Sequence, residues 1–166
     1  MFQLERTFVI VDLENVCGGS VHVPGRHTEV LEAVRSLSGA SECLIVYSTG
    51  PQALHLAPDL LWKWNCARYV PGRGIDGADN ALIEVLRAEP VATRSSRVLL
   101  FSGDHAFTRT VADLSAKNIH TTVVSRPQSI SRELAAAADQ LCLLPNFVGS
   151  SPSSPSSLNT NLWEAA

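Results

Sequence analysis

This sequence has no Cys-x-x-Cys pair, no apolar run of membrane-spanning length and no excess of basic residues. Each absence excludes something. The four cysteines, Cys17, Cys43, Cys66 and Cys142, are widely scattered. Cys43 and Cys142 lie inside the apolar runs ECLIVY and QLCLLP, where free cysteine behaves as a small hydrophobe. Neither structural zinc nor a disulfide framework is supported. The N-terminus MFQLERTFVIV carries acid and base ahead of its apolar run, with no cleavage-like segment. The expected setting is therefore a reducing cytoplasm without membrane contact. A formal net charge of −3 over 166 residues offers no bulk attraction for nucleic acid, so any such binding must rest on a local basic patch. The length suits one domain with a sizeable core.

Short apolar runs alternate with helical periodicity. TFVIVDL is β-branched, aromatic and apolar on both faces, and reads as a buried strand; CLIVYS, ARYV, RVLLFSG, HTTVVS and QLCLLP follow. Continuous rather than alternating apolar character suits strands covered on both sides. Between them, TEVLEAVRSLSG aligns Val30, Leu31, Val34 and Leu37 on one helical face, with Gly39 as a stop. PQALHLAPDLLWKW reads as a helix broken by Pro58, or two short ones. ADNALIEVLRAE, AFTRTVADLSAKN and SISRELAAAADQ complete the helices. The expected architecture is α/β: a mostly parallel sheet with helices on both faces and right-handed crossovers, over residues 1–148. From Gly149 onward the chain is rich in Ser and Pro and reads as a flexible tail.

In such a sheet ligands bind beyond the carboxyl ends of the strands. Two of the strongest strands deliver acid there. VIVDLENV brings Asp12, Glu14 and Asn15, and LLFSGD brings Asp104. Asp76 and Asp79 lie where a loop enters a helix. Asp79 also reads as a first-turn acid favoured by the helix dipole. A charge at the end of a buried strand costs desolvation unless compensated. Carboxylates converging on one edge would also repel one another. A bound divalent cation resolves both, and hard oxygen ligands suit Mg²⁺ or Mn²⁺. GRGIDG, from Gly72 to Gly77, matches G-x-G-x-x-G. It follows the third strand rather than the first, however, and its acids would repel a pyrophosphate. Its glycines instead let a loop bend close to the acidic edge.

Taken in order, FVIVDLENV, GADNALIEVL, VLLFSGDHAFTRTVADLSAKNIHTTVVS and SISRELAAAADQLCLL resemble the segments of an NYN domain, in the LabA-like bacterial branch of the PIN-like nuclease superfamily. The likeness spans about residues 7–145. It implies a PIN-like three-layer fold with an acidic metal-binding centre, and a ribonuclease-type activity dependent on Mg²⁺ or Mn²⁺. Carried over by position, Asp12 is the first-strand acid, with Asn15 its partner. Asp79 matches the acid at the central helix start, with Asp76 a close rival, and Asp104 is the acid of the Ser-Gly-Asp motif. Where the family commonly has a second aspartate, this chain has Ala106, with His105 beside it as a substitute ligand or a surface residue.

The function expected from these residues is metal-dependent hydrolysis of RNA phosphodiesters, catalysed at Asp12, Asp79 and Asp104. Substrate contacts are expected from Asn15, Arg73, Arg109 and Arg126, with Arg26 and His27 nearby and Glu14 as an outer support. The alternative is a catalytically weakened RNA-binding or protein-interaction module. A DNA nuclease, a homodimer and a protein partner also remain open. Trp62 and Trp64 read as base-stacking or as core, and Trp163 as a partner anchor or an unplaced end residue. Because residues 149–166 have almost nothing apolar to bury, their deletion is expected to leave the thermal melting midpoint nearly unchanged; a large drop would mean that Leu162 or Trp163 docks on the body.

Overall fold

The computed structural model describes residues 6–19, 23, 25–39, 42–56, 67–88, 91 and 95–145. Trp62, Trp64, Cys66, Trp163 and the tail lie outside these residues. The apolar runs become β1 (Arg6–Asp12), β2 (Glu42–Ser48), β3 (Ala67–Tyr69), β4 (Arg97–Phe101), β5 (His120–Ser125) and β6 (Gln140–Leu143). They form one sheet in the order β3-β2-β1-β4-β5-β6. Every pairing is parallel, so the sheet is wholly rather than mostly parallel among the described residues.

Successive side chains of a strand point to opposite faces, which accounts for the unbroken apolar runs. Val9 and Val11 of β1, Tyr47 of β2 and Leu99 and Phe101 of β4 enter one core cluster. Phe8 and Ile10, Val46, and Val98 and Leu100 enter another on the far face. The first cluster is closed by α1 (Leu13–Val16) and α2 (Arg26–Ser38), through Leu13, Val16, Val30, Leu31 and Val34. The second is closed by α3 (Gly77–Ala88), α4 (Thr108–Ser115) and α5 (Arg132–Ala137), through Leu82, Leu86, Val111 and Leu134. Three layers result, as expected.

Three of the expected helices take another form or extent among the described residues. PQALHL forms a 3-10 turn, Pro51–Leu56. The helix expected over AFTRTVADLSAKN begins as a separate 3-10 turn, His105–Phe107, because the Asp104 carboxylate caps the Ala106 N–H at 2.8 Å. The helix expected over SISRELAAAADQ is only α5. Ser131 caps its start at Leu134 N. Beyond its end, Asp139 accepts from Thr121 N at 2.7 Å and Ser115 Oγ at 3.1 Å, joining β5 and α4.

The two faces meet in β4, where Leu100 has no solvent exposure. Leu100→Ala should lower the unfolding free energy by about 2–5 kcal/mol, because the cavity cannot collapse between two packed layers. Glu42→Ala, which removes an exposed 3.0 Å ion pair to Arg6, should cost under about 1 kcal/mol. Denaturant melts of the two variants check the contrast.

Candidate functional site

The order β3-β2-β1-β4-β5-β6 reverses direction between β1 and β4. Chains leaving such a pair diverge to opposite faces and leave a crevice at the strands' carboxyl ends. Asp12 ends β1, one step past the Val11–Phe101 pairing, and Ser102 follows β4 at the same level. Ser102 Oγ donates to Asp12 Oδ2 at 2.9 Å, bridging the gap. Asp12 is only 4% exposed. It also caps α1 by accepting from Asn15 N at 3.3 Å.

Asn15 in turn reaches across the crevice: its Oδ1 accepts the Gly103 N–H at 2.8 Å. The Gly103 carbonyl accepts from Ser131 N at 2.9 Å. Glycine is required there, since a Cβ would lie 2.2 Å from the Ser129 carbonyl oxygen. Ser102 Oγ accepts from Asp104 N at 3.2 Å. The Ser-Gly-Asp turn is therefore held from three sides, and Asp104 is directed into the crevice. On the opposite wall, Gly72 packs backbone to backbone against the start of α3, where a Cβ would fall 2.4 Å from Ala78 N. The GRGIDG glycines serve this close approach. Asp76 adopts a left-handed backbone, φ 53°, a conformation a non-glycine residue holds only when its surroundings impose it.

The resulting cleft, about 340 Å³, is lined by Asp12, Glu14, Asn15, Asp76, Asp79 and Asp104, together with Gly50, Pro51, Gly74, Gly77 and Ala78. Asp12, Asp79 and Asp104, singled out in the sequence, thus share one cleft, and Asp76 lines it beside Asp79. Burial, and next the charge of Asp79, push the Asp12 carboxyl up to about 7; Ser102 and the Asn15 N–H oppose the rise. The carboxyl of Asp79 is also raised, first by burial and then by Asp104, with Asp76 and Glu14 adding to it and the bond from Asp12 opposing. Both carboxyls are thus shifted toward the neutral form, chiefly by burial.

The donor chemistry fits a hard divalent cation: all side-chain donors are oxygens, and their mutual repulsion is what a cation would relieve. Among the described residues, however, no three Asp, Glu, His or Cys side chains form a group that could hold an ion as they stand. The cleft collects the acids without closing them into a cage.

The arginines divide. Arg73 is exposed next to cleft-lining Gly74, and Arg109 is exposed on α4 but does not line the cleft. Arg126 corrects the sequence reading. It is 1% exposed, its Nε donates to the Val16 carbonyl at 2.9 Å, and its Nη1 donates to the Pro145 carbonyl. It faces backbone, not phosphate. Arg26 likewise donates to the Cys17 carbonyl at 3.3 Å. His105, its ring 3.2 Å from Asp104 Oδ1, is largely exposed and does not line the cleft.

Sequence reasoning set Glu14 aside as an outer support. Residues 13–16 are helical, and the Glu14 carboxylate lies against Gly50 in the cleft. The signal was present: Asp12-x-x-Asn15 is an N-cap pattern. Ser102, bonded to Asp12, was also passed over.

Residues 78–144 match the NYN domain. The resemblance seen in the sequence is borne out over this span, which includes Asp79 and Asp104; Asp12 and Asn15 lie outside it. NYN domains are a PIN-like, nuclease-type family, generally bind RNA, and their nucleases generally use divalent metals. Among solved structures, a protein of unknown function from Vibrio parahaemolyticus superposes with a TM-score of 0.62 at 20% identity, covering 88% of this chain and 98% of its own. At that identity the likeness concerns the fold alone. No curated protein matches the sequence. No helix among the described residues is long and apolar enough to cross a membrane.

The raised pKa of Asp12 has a measurable consequence. Burial and the Asp79 charge lift it from the ordinary 3.8 to about 7. Its contribution to stability is therefore complete below the lower value and lost as pH rises through the upper. In metal-free protein the melting midpoint should fall between about pH 4 and pH 7. Asp12→Asn, which cannot ionise, should flatten that slope; an unchanged slope would assign it to other groups.

Proposed function

We propose that the chain is a metal-dependent ribonuclease that hydrolyses RNA phosphodiesters at the β1–β4 crevice. One observation carries this reading: five carboxylates, those of Asp12, Glu14, Asp76, Asp79 and Asp104, line a single cleft at the carboxyl ends of the central strands. Capping accounts for Asp12 and Asp104 singly, but not for five acids gathered in one cleft, a concentration of like charge that suits a site meeting a divalent cation and a phosphate together. Asp12, Asp79 and Asp104 are the residues that would hold Mg²⁺ or Mn²⁺. The ion would supply Lewis acidity to water and offset charge on the attacked phosphate.

The chain's own groups prepare the site. Ser102 and the Asn15 N–H fix the Asp12 carboxyl, so it binds without rotamer loss. Asn15 and Ser131 hold the Gly103 backbone and so aim Asp104. Holding a cation would require Asp12 to be ionised, so metal binding would be pH-dependent. Arg73, exposed next to cleft-lining Gly74, would meet an incoming phosphate.

A second reading has its own support. Ala106, exposed beside Asp104, stands where the family resemblance sets a second acid, and the acids do not form a closed ligand set. A weakened site that binds RNA without cutting it is the alternative. Calorimetric Mn²⁺ titration and cleavage of labelled single-stranded RNA separate the two. The nuclease reading expects metal-dependent cleavage by wild type, its loss in Asp104→Asn together with at least about a 10-fold drop in Mn²⁺ affinity, and a gain in Ala106→Asp. RNA binding without cleavage in wild type, with cleavage acquired only by Ala106→Asp, would establish the binding module. Equal metal-independent cleavage by wild type and Asp104→Asn would remove the nuclease reading.

A further inference from the structure

α1 is a single turn, Leu13–Val16, yet it carries Glu14 and Asn15 into the cleft. One helical turn cannot sustain itself, because nucleation fixes several residues for one hydrogen bond. Its carbonyls must all find donors in a buried setting. The Leu13, Glu14 and Asn15 carbonyls accept from Cys17, Gly19 and Gly18 N–H at 3.0, 2.8 and 3.0 Å. That turn leaves the Val16 and Cys17 carbonyls, which accept from Arg126 Nε at 2.9 Å and Arg26 Nη1 at 3.3 Å.

Arg126 comes from the far side of the sheet's midline, directly after β5, and lies 110 residues from Val16 in the chain. Its guanidinium also donates to the Pro145 carbonyl beyond β6 and approaches Glu29 of α2 at 3.7 Å. Burial disfavours its charge and the Glu29 carboxylate opposes that loss. A fully buried guanidinium is costly unless its donors are used. Here they join α1 to α2 and to the exits of β5 and β6.

We propose that Arg126 is a positioning residue for the cleft: it sets α1 so that Asn15 can hold Gly103, and through Gly103 it sets the direction of Asp104. The chain of contacts runs from Arg126 Nε to the Val16 carbonyl, through the turn to Asn15 Oδ1, and from there to Gly103 N at 2.8 Å. Arg126, 1% exposed, does not line the cleft. A lysine keeps the charge but cannot bridge two carbonyls in the same fork geometry, so the role is specific to arginine. The metal part of its consequence rests on the nuclease reading above; the ordering of α1 does not.

The test uses full-length Arg126→Lys and Arg126→Met, with Glu29→Gln as a control that removes the ion pair and leaves the Val16 bond. Two readouts are taken well below each variant's melting midpoint. In metal-free protein, the backbone amide resonances of Glu14, Asn15 and Gly103 are expected to shift or broaden in Arg126→Met, less so in Arg126→Lys, and to stay in place in Glu29→Gln. Mn²⁺ affinity is expected to fall about 10-fold in Arg126→Met. A lowered melting midpoint with those three amides and the Mn²⁺ affinity unchanged would make Arg126 merely structural and overturn the proposal. Failure of both Arg126 variants to fold would overturn it equally, by assigning the arginine to the fold rather than the site. A wild type that binds no Mn²⁺ would defeat the nuclease reading alone, since the amide resonances of the metal-free protein still decide the positioning role.

Discussion

A carboxyl group buried at the end of a central parallel strand is the constraint around which the rest of this structure is arranged. Asp12 is held at the β1–β4 divide, where the strand order reverses and helices depart to opposite faces. Water is nearly excluded from it, and burial together with the nearby charge of Asp79 raises its pKa. Neutralisation and hydrogen bonding are the two ways a protein can keep such a group: the raised pKa favours the neutral form, and Ser102 Oγ and Asn15 N donate to the carboxyl. A cation would be a third, and the cleft is open for it.

The supports of that group form a continuous network. Ser102 serves Asp12 and also accepts from Asp104 N; Asn15 grips Gly103; Gly103 is tied to Ser131; Arg126 and Arg26 close the far end of α1. These residues come from the exits of β1, β4 and β5 and from the starts of α2 and α5. The parallel sheet brings all of them to one edge because every strand points the same way. Site and fold thus share the same hydrogen bonds, and an error at one strand exit is transmitted to its neighbours.

Ala106 is the point at which this arrangement departs from a fully acidic centre. Its N–H donates to the capping Asp104 carboxylate at 2.8 Å, so the backbone of the turn is intact while the side chain offers nothing to a metal. Backbone geometry and side-chain chemistry are separable at this turn.

The local chain determined much of this protein unaided. Unbroken β-branched runs such as TFVIVDL and RVLLF can only be strands covered on both faces, because both sets of alternating side chains need burial. Acids placed directly after them must then gather at one edge, so Asp12 and Asp104 were legible from pattern alone. Tertiary structure decided what pattern does not encode. Arg126 looks like any loop arginine in sequence; its burial depends on β6, α1 and α2 closing over it, contacts separated by up to 110 residues. Glu14 reads as a strand continuation until Asp12 caps a turn, and that turn persists only because donors from distant segments satisfy its carbonyls. Whether the carboxylates close on a common point is likewise a matter of distances across the cleft, set by how β1, β4 and α3 pack, which no single stretch of chain contains.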